Sequence, residues 1–124
     1  MKRWVVDGMN VIGSRPTGWW RDRPGAMRRL VEQLRGLREP VTVVFDGRPF
    51  EVERAGDVDV RFASRRGPNA ADDDIAALVA EAEDPGELRV VTSDGELSRR
   101  VREHGAEVVG AKQFRDRLEE DGDD

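Results

Sequence analysis

The feature that most constrains this chain is its alternation of short apolar runs with amphipathic helical stretches. Residues 3–7, 41–46, 58–63, 87–93 and 106–110 read as strands. Between them lie stretches with helical spacing. Residues 24–38 carry Met27, Leu30, Val31 and Leu34 on one stripe with Pro24 near the start, and residues 70–83 carry Ile75, Leu78, Val79 and Ala82. A helix over 94–104 is closed by Gly105, with His104 as a helix-end residue, and Ala111, Phe114 and Leu118 stripe the last one. Strands separated by helices pair in parallel, because each return crossing lays a helix on a face of the sheet. The expectation is an α/β domain with helices on both faces. "VDVRFA", residues 58–63, alternates apolar with polar residues as an edge strand does.

At 124 residues the chain is one domain, with no internal repeat or linker. It has no cysteine, so disulfides and thiolate metal sites are excluded and any metal must take oxygen ligands. The N-terminal "MKRWVVDG" reaches Asp7 after three apolar residues, too few for a signal-peptide core or a membrane span. A cytoplasmic protein without a membrane partner is expected. The net charge is −5, but the terminal "EEDGDD", residues 119–124, holds five of the 26 acids. The body, residues 1–118, is therefore balanced, and the acidic segment is expected to be a disordered tail. Nineteen of the 21 bases are arginine, the side chain suited to bidentate phosphate contacts, although a codon bias gives the same composition.

Three strands end in Asp-Gly: "VVDG" at Asp7, "VFDG" at Asp46 and "TSDG" at Asp94, while "DDD" at 72–74 opens the helix after the third strand. In an open parallel sheet ligands bind beyond the carboxyl ends of the strands, so these acids belong on one rim. Each has a plainer reading. Asp-Gly between apolar runs is a hairpin signal, "SDGE" fits a capping box with Ser93 as N-cap and Asp94 left free, and acids in a first helical turn complement the dipole. Asp46 reads equally as structural. At about 100° per residue, Asp72 lies roughly 70° from the centre of its helix's apolar stripe, Asp74 about 90° away on the other side, and Asp73 nearly opposite. Asp72 is thus the expected ligand and Asp73 a solvent-facing charge. Carboxylates crowded on one rim repel unless they are protonated or share a cation. A hard divalent ion, Mg²⁺ or Mn²⁺, relieves the repulsion, can activate water and neutralises charge on a phosphodiester.

In "VVDGMNVIG", "VVFDG", "NAADDDI" and "VVTSDGEL" the chain resembles the NYN domains of the PIN-like nuclease superfamily, and is close to the YacP-like and actinobacterial NYN proteins, from about residue 3 to residue 118. The resemblance implies a three-layer α/β/α PIN-like fold with a mainly parallel five-stranded sheet ordered 3-2-1-4-5, and divalent-metal-dependent endoribonuclease activity. It makes Asp7, Asp72 and Asp94 the metal site, with Asn10 positioning a ligand or the scissile phosphate. Asp73 is acidic in some relatives, and Ser98 stands where the superfamily often has a further acid.

Two basic loops flank the rim, so Arg48, Arg65 and Arg66, together with Arg99 and Arg100 after Asp94, are candidate contacts to a phosphate backbone. Arginines in loops are more often simply solvated. In "TGWWRDRPG" Trp19 and Trp20 cannot both face one core pocket, so one is free to stack on an unpaired base, while covering a helix end is the plainer role. The leading expectation is a metal-dependent endoribonuclease cutting single-stranded or loop RNA. The alternative is a non-catalytic RNA-binding or ribosome-associated module that keeps the acidic rim. No G-x-G-x-x-G or P-loop motif is present, which disfavours nucleotide binding by either mechanism. Met9 stands where a haloacid-dehalogenase-like phosphatase would need a second Asp.

Overall fold

A computed structural model describes residues 2–15, 17–46, 58–64 and 70–122, with side chains as far as Glu119. The elements run β1 (Arg3–Asp7), α1 (Gly8–Ile12), α2 (Arg23–Leu34), β2 (Val41–Phe45), β3 (Val58–Phe62), α3 (Ala70–Glu81), β4 (Leu88–Val91), α4 (Gly95–Glu103), β5 (Glu107–Val109) and α5 (Ala111–Gly122). The strands form one sheet in the order β3-β2-β1-β4-β5, every pair parallel. The expected strand order and layering are both present.

Alternation along β1 decides which side chains face which layer. Trp4 and Val6 join α1, α2 and α5 in one core, where the Trp4 and Phe114 rings lie 5.0 Å apart. Val5 joins α3 and α4 in the other. Two residues on from Val5, Asp7 falls on the α3/α4 side, the side on which the acids of α3 begin. At the sheet edge Val58 is buried while Val60 and Phe62 are half-buried, as the pattern of β3 predicts.

Helix α2 is started by Asp22, whose carboxylate accepts from the Gly25 N–H at 3.1 Å, with Pro24 in the first turn. It stops at Leu34, short of the expected residue 38, because Leu34 is the last of its stripe to bury and Gly36 bonds back to the Gln33 carbonyl. Helix α4 closes at His104, followed by Gly105 at φ 96°, a left-handed conformation that glycine adopts without strain. Helix α5 continues to Gly122, inside the acid-rich terminal segment, and Glu119 is held there by Arg15.

Between Asp7 and the loop that follows, the sequence gives no sign of α1, a helix of five residues. Its first residue is Gly8, and the packing requires glycine there. A Cβ there would stand 2.4 Å from the Phe45 ring, so glycine lets the helix lie against β2.

Candidate functional site

Asp7 is the most buried acid described, 4% exposed at the carboxyl end of β1. The register sets its neighbours: Asp7 lies opposite Val44 of β2, and Val6 opposite Val91 of β4, so the residue after Val91 comes alongside Asp7. That residue is Thr92, whose Oγ1 donates to Asp7 Oδ2 at 3.1 Å and accepts from the Asp94 N–H, also at 3.1 Å. Sequence reasoning missed Thr92. Its sequence signal was a hydroxyl residue directly after Val90 and Val91, and the structure buries it to 1% exposure.

Asn10, one turn into α1, accepts the Ser93 N–H at 2.7 Å, and Ser93 Oγ accepts the first N–H of α5, that of Ala111, at 2.9 Å. The loop 92–94 is thereby tied to β1, α1 and α5. Because Ser93 is taken up in these ties, the N-cap of α4 is Asp94, whose Oδ1 accepts the Leu97 N–H at 2.8 Å. The expected capping box led by Ser93, with Asp94 free, is corrected on this point. Glu96 binds Arg99 and does not return to Ser93. Capping takes one oxygen of Asp94, and a carboxylate has capacity for more.

In α3 the three acids divide. Asp74 accepts from Ser64 through both its oxygens, at 2.6 and 2.7 Å. Asp73 receives the Arg100 guanidinium at 2.8 Å, both partly buried, so it is not the solvent-facing charge that helix geometry suggested. The first turn of α3 brings it onto α4. Asp72 is half-buried with Asp94, Asp46 and Asp73 close enough to act on it. Asp46 Oδ1 accepts the Ala71 N–H at 3.0 Å, which places Asp46 at the start of α3 in a bonding role as well as near the rim.

The electrostatics follow from this crowding. Burial, then the charges of Asp72 and Asp46, push the Asp7 carboxyl up to about 7, against the Thr92 hydrogen bond and the nearby Asn10 backbone, which pull it down. Burial, then the charges of Asp94, Asp46 and Asp73, raise Asp72, against the pull of Arg100. Asp7, Asp46, Asp72 and Asp94 thus form one interacting acidic rim. Their oxygen donors and mutual repulsion fit a hard divalent cation. Among the described residues, however, no three acidic or histidine side chains are gathered as the direct ligands of one ion. A cation here would contact one or two carboxylates and keep several waters, the habit of Mg²⁺.

Ser98, which stands in the place of a further acid, is buried and donates to the Asp94 carbonyl within its own helix at 2.8 Å. Of the basic candidates, Arg48, Arg65 and Arg66 lie outside the described residues. Arg99 is engaged by Glu96 and Glu103 on its own helix. The two tryptophans separate as the sequence requires. Trp19 packs against the core and Trp20 is 54% exposed, their rings in edge contact at 5.9 Å and 84°. Arg21 lies 6.0 Å from the Trp20 ring.

The model of the YacP-like NYN domain matches residues 4–123. The chain belongs to the YacP-like NYN domain family. This NYN domain also matches the crystal structure of Rae1 (YacP) from Bacillus subtilis, with a TM-score of 0.76, 22% identity, and coverage of 98% of this chain and 76% of that one. The W164L mutant of the same protein gives a TM-score of 0.79 at 24% identity, covering 98% and 77%. At these identities the likeness concerns the fold. No curated protein matches the chain. The NYN family is nuclease-like and RNA-related. No described helix is long and apolar enough to cross a membrane.

Proposed function

We propose that this NYN domain is a divalent-metal-dependent endoribonuclease acting in the cytoplasm on single-stranded or loop RNA, including RNA presented on the ribosome. One observation carries the reading. Burial, and after it the charges of neighbouring acids, raise both Asp7 at the end of β1 and Asp72 at the start of α3, and a shared cation relieves that. Asp7, Asp72 and Asp94 would hold Mg²⁺ or Mn²⁺ between them, one or two directly and the rest through the ion's waters, with Asp46 at the margin. When bound, the ion supplies Lewis-acid activation of water and neutralises charge on the phosphodiester.

The chain's own residues do the rest. Thr92 orients the Asp7 carboxylate and fixes the Asp94 backbone with the same hydroxyl. Asn10 holds the Ser93 amide and so sets the spacing between the first and fourth strand ends, a positioning role. Trp20 offers an exposed ring for base stacking, supported by Trp19.

A second reading, an RNA-binding or ribosome-associated module without cleavage, draws support from Ser98, whose hydroxyl is spent on its own helix. Incubation of a partly structured RNA pool with Mn²⁺ or Mg²⁺ separates the two. Cleavage by the wild type and not by Asp7→Asn or Asp94→Asn supports the nuclease. Equal cleavage by all three means another site or a contaminant, and binding without cleavage under every divalent ion selects the second reading.

A further inference from the structure

Away from the rim, helices α1, α2 and α5 enclose a cavity of about 340 Å³. It is lined by the buried Val11, Ile12 and Leu30, by the exposed Arg29 and Gln33, and by Arg115. Arg115 is a fixed part of this wall. Its Nη1 donates to the Ile12 carbonyl at 2.8 Å and to the Val11 carbonyl at 3.3 Å, the two carbonyls that end α1, and its side chain is 17% exposed. A guanidinium has five N–H donors in a planar fork, so these bonds anchor Arg115 without exhausting it.

The cavity is also short of negative charge. Arg115 reaches one acid, Glu119, at 3.7 Å, and Glu119 is itself bound by Arg15. Arg29 makes no ion pair or hydrogen bond among the described residues. Burial, together with the positive charges of Arg15 and Arg29, lowers the Arg115 guanidinium from its usual range, against the pull of Glu119. Two guanidinium groups lining one cavity match a phosphate joined to a small body, and the volume lies at the small end of ligand cavities, about 300–1,000 Å³.

We propose that this cavity is a nucleotide site, in which Arg29 and Arg115 take the phosphate and the nucleoside occupies the space beside them. The nucleotide comes either free or as one unit of an RNA strand bound away from the acidic rim. The site is separate from the rim's chemistry, since its residues lie on the opposite core from Asp72 and Asp94.

The test titrates the protein with a nucleoside 5′-monophosphate, the matching nucleoside, inorganic phosphate and a short unstructured RNA, following affinity by calorimetry. Arg29→Ala is the main variant, because Arg29 is exposed and holds no other element in place. Asp7→Asn accompanies it. In EDTA, so that the rim neither binds metal nor cuts, the expected result is that monophosphate or RNA binds the wild type and Asp7→Asn alike, and that Arg29→Ala weakens binding about tenfold, the usual scale of one charge-assisted contact. Binding of the monophosphate identifies a free ligand, and loss confined to the RNA identifies a strand. The proposal is overturned if Arg29→Ala binds both as the wild type does, if the nucleoside binds as well as the monophosphate, or if neither phosphate ligand binds. Because Asp7→Asn abolishes cleavage on the reading above and leaves this cavity intact, failure of one proposal is distinguishable from failure of the other.

Discussion

The Thr92 hydroxyl links two acids of the rim, donating to Asp7 Oδ2 and accepting from the Asp94 N–H, both at 3.1 Å. The bond to Asp7 joins two buried side chains and the bond from Asp94 is part-buried, so the first in particular is not easily replaced by water. Thr92→Val keeps the shape and removes the hydroxyl. It should destabilise the domain by about 1–3 kcal/mol, the cost of leaving buried polar groups unsatisfied, and should also weaken divalent-ion binding. Thr92→Ser should recover most of both. Urea unfolding and an Mn²⁺ titration of the three proteins check this, and a valine variant as stable as the wild type would refute it.

Asp7 makes stability depend on pH with a definite sign. In the fold its carboxyl sits at about 7, against an ordinary 3.8, so between those values the folded chain keeps a proton that the unfolded chain has lost. The stabilisation from the neutral acid is therefore complete below pH about 4 and is lost as pH rises through about 7. Asp7→Asn cannot ionise. In EDTA its stability relative to the wild type should rise across that window, by an amount on the order of a few kcal/mol, and level off above it. Denaturant unfolding at pH values spanning the window tests this, and parallel profiles for the two proteins would sink it.

A bound cation should reverse that relation. Mn²⁺ or Mg²⁺ offsets the repulsion among Asp7, Asp72 and Asp94, so either ion should raise the wild-type melting temperature and leave Asp7→Asn unmoved. Asp94 needs two variants, because it also caps α4. Asp94→Asn keeps a capping oxygen and should lose only the ion-dependent shift, whereas Asp94→Ala should lose the shift and a further 0.5–2 kcal/mol or so of ion-independent stability. Equal stability of the two without metal would mean that the cap contributes nothing.

Much of this was legible in the sequence, for reasons that also explain what was not. Period-2 and period-3.6 patterns give the strands, the helices and the edge position of β3, because burial on one face writes itself into residue spacing. The three Asp-Gly strand ends point to the rim because parallel strands all finish on one side of the sheet. Partner choices between distant segments leave no such periodicity. Nothing near Asp73 announces Arg100, 27 residues on, and nothing near Ser93 announces Asn10 or Ala111. Those contacts moved the α4 cap from Ser93 to Asp94 and placed Asp73 in an ion pair. The need for Gly8 is equally nonlocal, since the Phe45 ring that excludes a side chain arrives from β2.

That contact yields a prediction of its own. Gly8→Ala sets a methyl 2.4 Å from the Phe45 ring and 3.1 Å from the Val43 side chain, in a core with little room to relax. Destabilisation of about 1–3 kcal/mol is expected from overpacking. Phe45→Leu should cost stability alone and yet recover part of the loss when combined with Gly8→Ala, because it removes the obstructing ring. A double-mutant cycle by urea unfolding measures the coupling, and strictly additive effects would show that the ring is not the obstacle.

The tryptophan pair separates stability from recognition. Trp19 is half-buried against the core and Trp20 is 54% exposed, so truncation should act differently at adjacent positions. Trp19→Ala should lower the melting temperature by removing buried apolar surface, with any RNA effect following from the loss of support to Trp20. Trp20→Ala should leave stability within about 0.5 kcal/mol of the wild type and weaken single-stranded RNA binding by about 1–3 kcal/mol, the range for loss of one stacked base. Anisotropy titrations with an unstructured RNA, beside thermal melts, provide both readouts. If Trp20→Ala binds RNA as tightly as the wild type, its exposed ring has no part in holding the substrate.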